Sequence, residues 1–429
     1  MNAALSLACS AVLMVAATSG CKDDHVIGSM PRDAAGSGGQ ATFNAGAGGA
    51  PELGGSPGGA GRATAGAGGL GVLRGTGDGT FAEQTSYRVS EIPTSVAIAD
   101  FNGDGVLDIV TVGGNEDKVS VLLGTGSGSF GTKRDFDAGN GATQVALGDL
   151  NADGNVDLVV PAFVSSTVGV FLGAGDGTFA ERVDYAVAAG PNSVALGDLN
   201  QDGALDIVTA AQNADAVSEL LGNGDGTFKT QLNYPTVREP YSMTLGDFNG
   251  DGELDLVTVS VSTIMIVAVH LATGNGKFGV TTEYSLPDVD VSQAAPQSIA
   301  VGDLNGDGAL DIATATLSGD EARVLFGRGD GSFAVTTSST GRFEIDLALA
   351  DLNGDGKLDA VTLDFFGTAV RVQLGIGAGQ FAAPADYMTD PGPGAVALGD
   401  LNADGKLDIV VANGNSDTVS VLLGAGGAN

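Results

Sequence analysis

Seven copies of one nine-residue acidic loop, D-x-N-x-D-G-x-x-D, recur along this 429-residue chain. They run Asp100 to Asp108, Asp149 to Asp157, Asp198 to Asp206, Asp247 to Asp255, Asp303 to Asp311, Asp351 to Asp359 and Asp400 to Asp408. Their starts lie 49, 49, 49, 56, 48 and 49 residues apart. That period fits one four-stranded propeller blade, which restricts the chain to a ring or array of repeats.

Oxygen side chains at alternate positions converge when the backbone curls, and a Gly at the sixth position allows the sharp turn, which is the logic of a calcium loop. In the first copy Asp100, Asn102, Asp104 and Asp108 offer side-chain oxygens, and the carbonyl of Val106 fills the seventh position. The second set is Asp149, Asn151, Asp153 and Asp157 with the Asn155 carbonyl, and the third is Asp198, Asn200, Asp202 and Asp206 with that of Ala204. Asp247, Asn249, Asp251 and Asp255 with Glu253 form the fourth, and Asp303, Asn305, Asp307 and Asp311 with Ala309 the fifth. The last two are Asp351, Asn353, Asp355 and Asp359 with Lys357, and Asp400, Asn402, Asp404 and Asp408 with Lys406. The seventh residue varies freely, as expected if only its backbone contributes. Hard oxygen donors with no His or Cys beside them favour Ca²⁺, about seven per chain, over zinc or copper.

A competing reading is that the Asp and Asn side chains only cap tight turns. Seven intact sets argue for the cation, because carboxylates held ~4 Å apart repel by up to roughly 4 kcal/mol per pair at an effective dielectric near 20. An EF-hand is excluded, since the flanks are not helical and no Glu stands at position twelve. The flanks, S-V-A-L-G before and L-D-I-V-T after, are short, β-branched and punctuated by Gly, which predicts strands.

Each unit continues with a strand such as Leu107 to Val112, a variable loop, a strand such as Val119 to Leu123, and a Gly-rich turn ending in Phe81, Phe130, Phe179, Phe228, Phe278, Phe333 or Phe381. The Phe reads as a core anchor between blades. Loop, strands and G-x-G-x-F turn together resemble the FG-GAP-like, or VCBS-type, repeat related to the propeller of integrin α subunits. The resemblance spans roughly residues 71–429 and implies an all-β fold: a seven-bladed β-propeller of four-stranded antiparallel blades. It also implies calcium in the loop between the first and second strands, with partners docking on the opposite face. The array stops after a third strand, Val419 to Gly424, while Gly79 to Val89 is a fourth strand without a blade. An N-terminal strand closing the last blade is therefore expected. Val72 and Leu73 have no assigned place.

Residues 1–21 read as an export signal: Ala3 to Ala17 is apolar, and Thr18-Ser19-Gly20-Cys21 resembles the end of a bacterial lipoprotein signal, with Cys21 as the lipidated residue. Thr18 stands where Leu is usual, and no Lys or Arg precedes the apolar run. The expected location is the outer membrane or cell surface through that lipid anchor, with secretion as the alternative. Residues 22–70, dominated by Gly, Ala, Ser and Pro, form a flexible linker before the propeller of residues 71–429. Cys9 would leave with the signal, so no intrachain disulfide is expected.

The net charge is −34, and the loop aspartates supply 21 of the negative charges. Without a basic cluster, nucleic acid is excluded as a partner. Of two histidines, His25 lies in the linker and His270 in a predicted strand, and no Ser-His-Asp set, thiol nucleophile or dinucleotide loop is visible. No enzyme is therefore expected. A monomeric protein-interaction or adhesion module at the cell envelope fits best, and a calcium-dependent glycan-binding propeller is the alternative, weakened by the absence of Trp. The partner, an unknown protein or glycan at the cell surface, is expected on the face away from the loops, near the inserted stretch Leu286 to Gln297. Phe163, Phe365, Phe366, Asp288 and Asp290 are the candidate contacts. Arg328-Gly329-Asp330 spells an adhesion tripeptide, but it falls within the G-x-G-D-G-x-F turn and is read as coincidence.

Overall fold

The computed structural model describes residues 79–261, 265–286, 296–316, 322–338, 345–364 and 367–424. The expected signal peptide and linker, Val72 and Leu73, and the candidates Asp288, Asp290, Phe365 and Phe366 lie outside these residues. The described strands form seven four-stranded antiparallel sheets, one per repeat, together with a small two-stranded hairpin. The protein is thus a seven-bladed, all-β propeller. The only helical element among the described residues is the short turn Gln212–Ala214.

Blade one shows the plan. Its strands Pro93–Ala99, Asp108–Gly113, Lys118–Leu122 and Arg134–Asp137 run from the inside of the ring outwards. The second strand is buried throughout, and between its buried Asp108 and Gly113 it reads Ile-Val-Thr-Val rather than alternating apolar with charged residues. The outer strand is exposed at all but its aromatic position. Alternate side chains of the middle strands face different neighbours: Ile109 and Leu122 pack with Val410 and Val419 of blade seven, while Val110 and Val121 pack with Leu158 and Phe171 of blade two.

In blade seven the outer place is taken by the earliest described strand. Thr85–Arg88 pairs antiparallel with Thr418–Leu422, and Phe81 bridges to Gly424 as Phe130 bridges to Gly124 in blade one. Residues more than 300 positions apart therefore share one sheet.

The hairpin phenylalanines have a role that sequence reading caught only in part. Phe130, Phe179, Phe228, Phe278 and Phe333 each meet, edge to face, an aromatic ring on the outer strand of the preceding blade, and Phe81 does the same with Tyr387. Those partners, such as Tyr87, Phe136 and Tyr185, stand six residues after a hairpin Phe, a spacing that could have revealed them. Each hairpin also approaches the preceding blade at a glycine. A Cβ on Gly177, at φ +75°, would lie 2.8 Å from Leu123, and one on Gly79 would lie 2.7 Å from Leu374.

Candidate metal centre

All seven acidic loops join the first and second strands of their blades, at the same end as the Gly-rich hairpins. Within each loop the backbone curls around the first Asp, whose Oδ2 accepts the amide of the sixth-position glycine. The distance is 2.7 Å from Gly105 to Asp100 and 2.7 to 2.9 Å in all seven copies. Asn102 Oδ1 accepts from the Asp104 amide at 2.9 Å, and Asp104 Oδ1 accepts from the Val106 amide at 2.9 Å. The positive φ of Gly105, +81°, allows the turn.

The ninth residue does something different from its fellows. Asp108 is fully buried, with Oδ2 accepting the Phe101 amide at 2.8 Å and Oδ1 accepting the Gly124 amide at 2.7 Å. It thereby pins its own loop to its own hairpin. Asp157, Asp206, Asp255, Asp311, Asp359 and Asp408 repeat the pair of bonds, with Ala272 as the hairpin donor in blade four. Burial raises the pKa of each, against the lowering effect of the amides and with added repulsion from the first and fifth Asp. Asp108, Asp206 and Asp255 reach about 6 and Asp408 about 7.

The loops are also tied sideways. Gly177 of blade two donates to the Phe101 carbonyl in the loop of blade one at 2.9 Å, and Gly128, Gly226, Gly331 and Gly379 make the same bond to the loops of blades seven, two, four and five. The acidic loops and glycine hairpins thus form a hydrogen-bonded belt along one face.

The donor chemistry suits a hard cation: carboxylates, a side-chain amide and a backbone carbonyl, with no nitrogen or sulfur ligand. Asp104 Oδ1 and both oxygens of Asp108 each accept one bond and keep a second lone-pair site, whereas Asp100 Oδ1 already accepts from the Asn102, Gly103 and Asp104 amides. The repulsion around the ninth Asp is the kind of strain a cation would relieve. In the structure as described the side chains cap the loop's own amides, and among the described residues no three Asp, Glu, His or Cys side chains close into a metal cage.

The structure places the remaining candidates as follows. His270 is 1 % exposed, with Nε2 at 2.9 Å from Thr236 Oγ1 and Nδ1 at 3.1 Å from Thr281 Oγ1. Phe163, in a loop of the other face, is half-buried, and its neighbour Val164 is the side chain that projects, at 65 % exposure. Asp330 of the RGD triplet caps Ser332 in its hairpin, accepting from the Ser332 amide at 2.9 Å. Among the described residues no helix is long and apolar enough to cross a membrane.

The fold and belt define a repeat propeller with a full ring of acidic loops. A model of the FG-GAP-like repeat matches residues 62–111, 100–160, 162–209, 198–258, 303–362 and 351–411. The chain belongs to the FG-GAP-like repeat family. No curated protein matches it. Among solved structures, an Agrocybe aegerita lectin recognising non-reducing terminal N-acetylglucosamine is similar at 21 % identity and a TM-score of 0.50, covering 78 % of this chain and 86 % of that one. BBS1N in complex with ARL6DN is similar at 11 % identity and a TM-score of 0.57, covering 81 % and 98 %. A Lactobacillus plantarum protein is similar at 14 % identity and 0.50, covering 71 % and 86 %. At these identities the likeness is one of fold.

Proposed function

We propose that this is an exported, calcium-binding propeller acting as a non-catalytic protein-interaction or adhesion module at the cell envelope. FG-GAP propellers are typically interaction folds rather than enzymes. The observation behind the calcium reading is the repetition of one oxygen donor set in every blade. Bound Ca²⁺ would supply positive charge among three carboxylates. The first, third, fifth and ninth side chains and the seventh carbonyl would hold it, while the ninth Asp also keeps loop and hairpin together. The face opposite the belt is left free for a partner, since its loops can vary without disturbing the loops that hold the ring.

Calorimetric titration of chelator-treated protein with CaCl₂ should find close to seven ions, at affinities on the order of 10⁻⁴ to 10⁻³ M. At tenfold excess over Kd each site would add about 1.4 kcal/mol to stability. A stoichiometry of two or fewer would refute the reading. A glycan ligand is the second reading, prompted by the lectin of like fold, and a glycan array run with and without calcium separates it from a protein partner. Lipid anchoring is tested by Cys21→Ser, which should move the protein from the membrane to the soluble fraction.

A further inference from the structure

The seventh residue of each acidic loop lends its carbonyl to the donor set, but its side chain has a fixed place as well. It lies beside the left-handed glycine of its own blade's hairpin: a Cβ on Gly126 would stand 3.4 Å from Val106, one on Gly224 3.7 Å from Ala204, and one on Gly274 3.4 Å from Glu253 Oε1. Any charge at this position is therefore held next to the loop. Blades six and seven have Lys357 and Lys406 there, blade four has Glu253, and the other four have uncharged residues. Three Asp give loops one, two, three and five a formal charge of −3; Glu253 takes loop four to −4, and one Lys brings loops six and seven to −2.

Loop six shows where the lysine charge goes. The stem of Lys357 runs along its hairpin, with Cδ 3.7 Å from where a Cβ on Gly377 would be, and its ammonium turns back onto Asp355 Oδ2 at 3.0 Å. In blades one, two, four and five the same oxygen of the fifth-position Asp accepts from the side-chain amide of the third-position Asn, at 2.8 to 3.0 Å. A neutral amide leaves the charge of that carboxylate whole, whereas an ammonium offsets it. Among the described residues Lys406 makes no such pair with Asp404, so loop six alone carries a cation of its own on one of its oxygen donors.

We propose that the seventh side chain sets the order in which the loops take up calcium: Glu253 makes loop four the tightest site, and Lys357, seated on a donor carboxylate, makes loop six the weakest, with loop seven next. This rests on the calcium reading above and adds an order to it. Affinity in oxygen-donor loops follows the charge of the ligand set. Filling loop six requires the ammonium to leave Asp355 or to share it with a divalent cation. Because the pair is about half exposed, solvent and salt reduce the penalty to roughly fivefold in affinity. Blades six and seven pack against each other, and blade seven holds the closing strand Thr85–Arg88. At intermediate calcium the sector that closes the ring is thus the last to be filled, and the propeller reads calcium in stages rather than in one step.

Hydrogen–deuterium exchange on the full chain at pH 7.5, over a series of free calcium concentrations, resolves the loops individually. The calcium concentration giving half of the protection should be lowest for Asp247 to Asp255 and roughly fivefold higher for Asp351 to Asp359 than for Asp303 to Asp311. Lys357→Ala should bring loop six down to the value of loop five and leave the other loops in place, and Ala309→Lys should raise loop five by a similar factor. Equal midpoints for loops four and six in the parent protein, or an unmoved loop six in Lys357→Ala, would overturn the order while the calcium reading stands. Calcium protection in none of the loops would defeat that reading and the order with it. The comparison among loops of the parent protein needs no variant to fold.

Discussion

Replacing Asp108 by Asn isolates the pin between loop and hairpin. The native carboxylate accepts from the Phe101 and Gly124 amides at 2.8 and 2.7 Å with no access to solvent. An amide side chain keeps one acceptor and turns an NH₂ toward the other N–H, leaving a buried donor unsatisfied at about 1–3 kcal/mol and weakening a charge-assisted bond. The damage extends to the neighbour, because Phe101, once its N–H is released, also accepts from Gly177 through its carbonyl and packs its ring edge-on against Phe179 at 5.9 Å. A total loss of about 2–4 kcal/mol follows. With an unfolding entropy of ~2.1 cal/mol/K per residue over roughly 350 residues, that lowers Tm by about 3–5 °C. Scanning calorimetry at pH 7.5 in chelator is the assay, since it excludes any contribution from a lost metal ligand. A Tm within about 1 °C of the parent would refute the pin, and a deficit seen only in calcium would mean that Asp108 acts through an ion alone.

Gly177→Val should destabilise by roughly 2 kcal/mol or more, through left-handed strain and the approach to Leu123, whereas Gly105→Ala, with open space around its Cβ, should cost only about 1 kcal/mol of backbone strain; denaturant midpoints compare them. Burial lowers the His270 pKa from 6.5 to about 4, so its cost is absent above the unfolded value and grows as pH falls through that window. The parent protein should therefore lose up to about 3 kcal/mol relative to His270→Leu between pH 7 and pH 4, and a constant difference in melting temperature across that range would contradict the assignment. A protein beginning at Ser90 lacks Phe81 and the strand paired with Thr418–Leu422; it should melt lower and less cooperatively than the parent, and an unchanged transition would show that this strand is dispensable.

The loops and the blade count were legible in the sequence because their determinants are local. Asp100, Asn102, Asp104 and Gly105 fix one turn within six residues, and a constant period converts that turn into a blade. The pairing of Thr85–Arg88 with the last strand was legible too, since an orphan strand at one end and a missing strand at the other have only each other. The double duty of Asp108 was not, because its second partner, Gly124, lies 16 residues away on a hairpin whose position only the folded sheet sets. Nor was the sideways bond from Gly177 to Phe101, which joins consecutive repeats and has no signature within either. Glu219 shows the limit most plainly. Along its strand, A-V-S-E-L, a glutamate reads as an ordinary polar position, and only the packing of blade three against blade four turns that position inward. Turn chemistry is written over a few residues, but which face of a strand is buried depends on what packs against it, and that is decided by the tertiary structure.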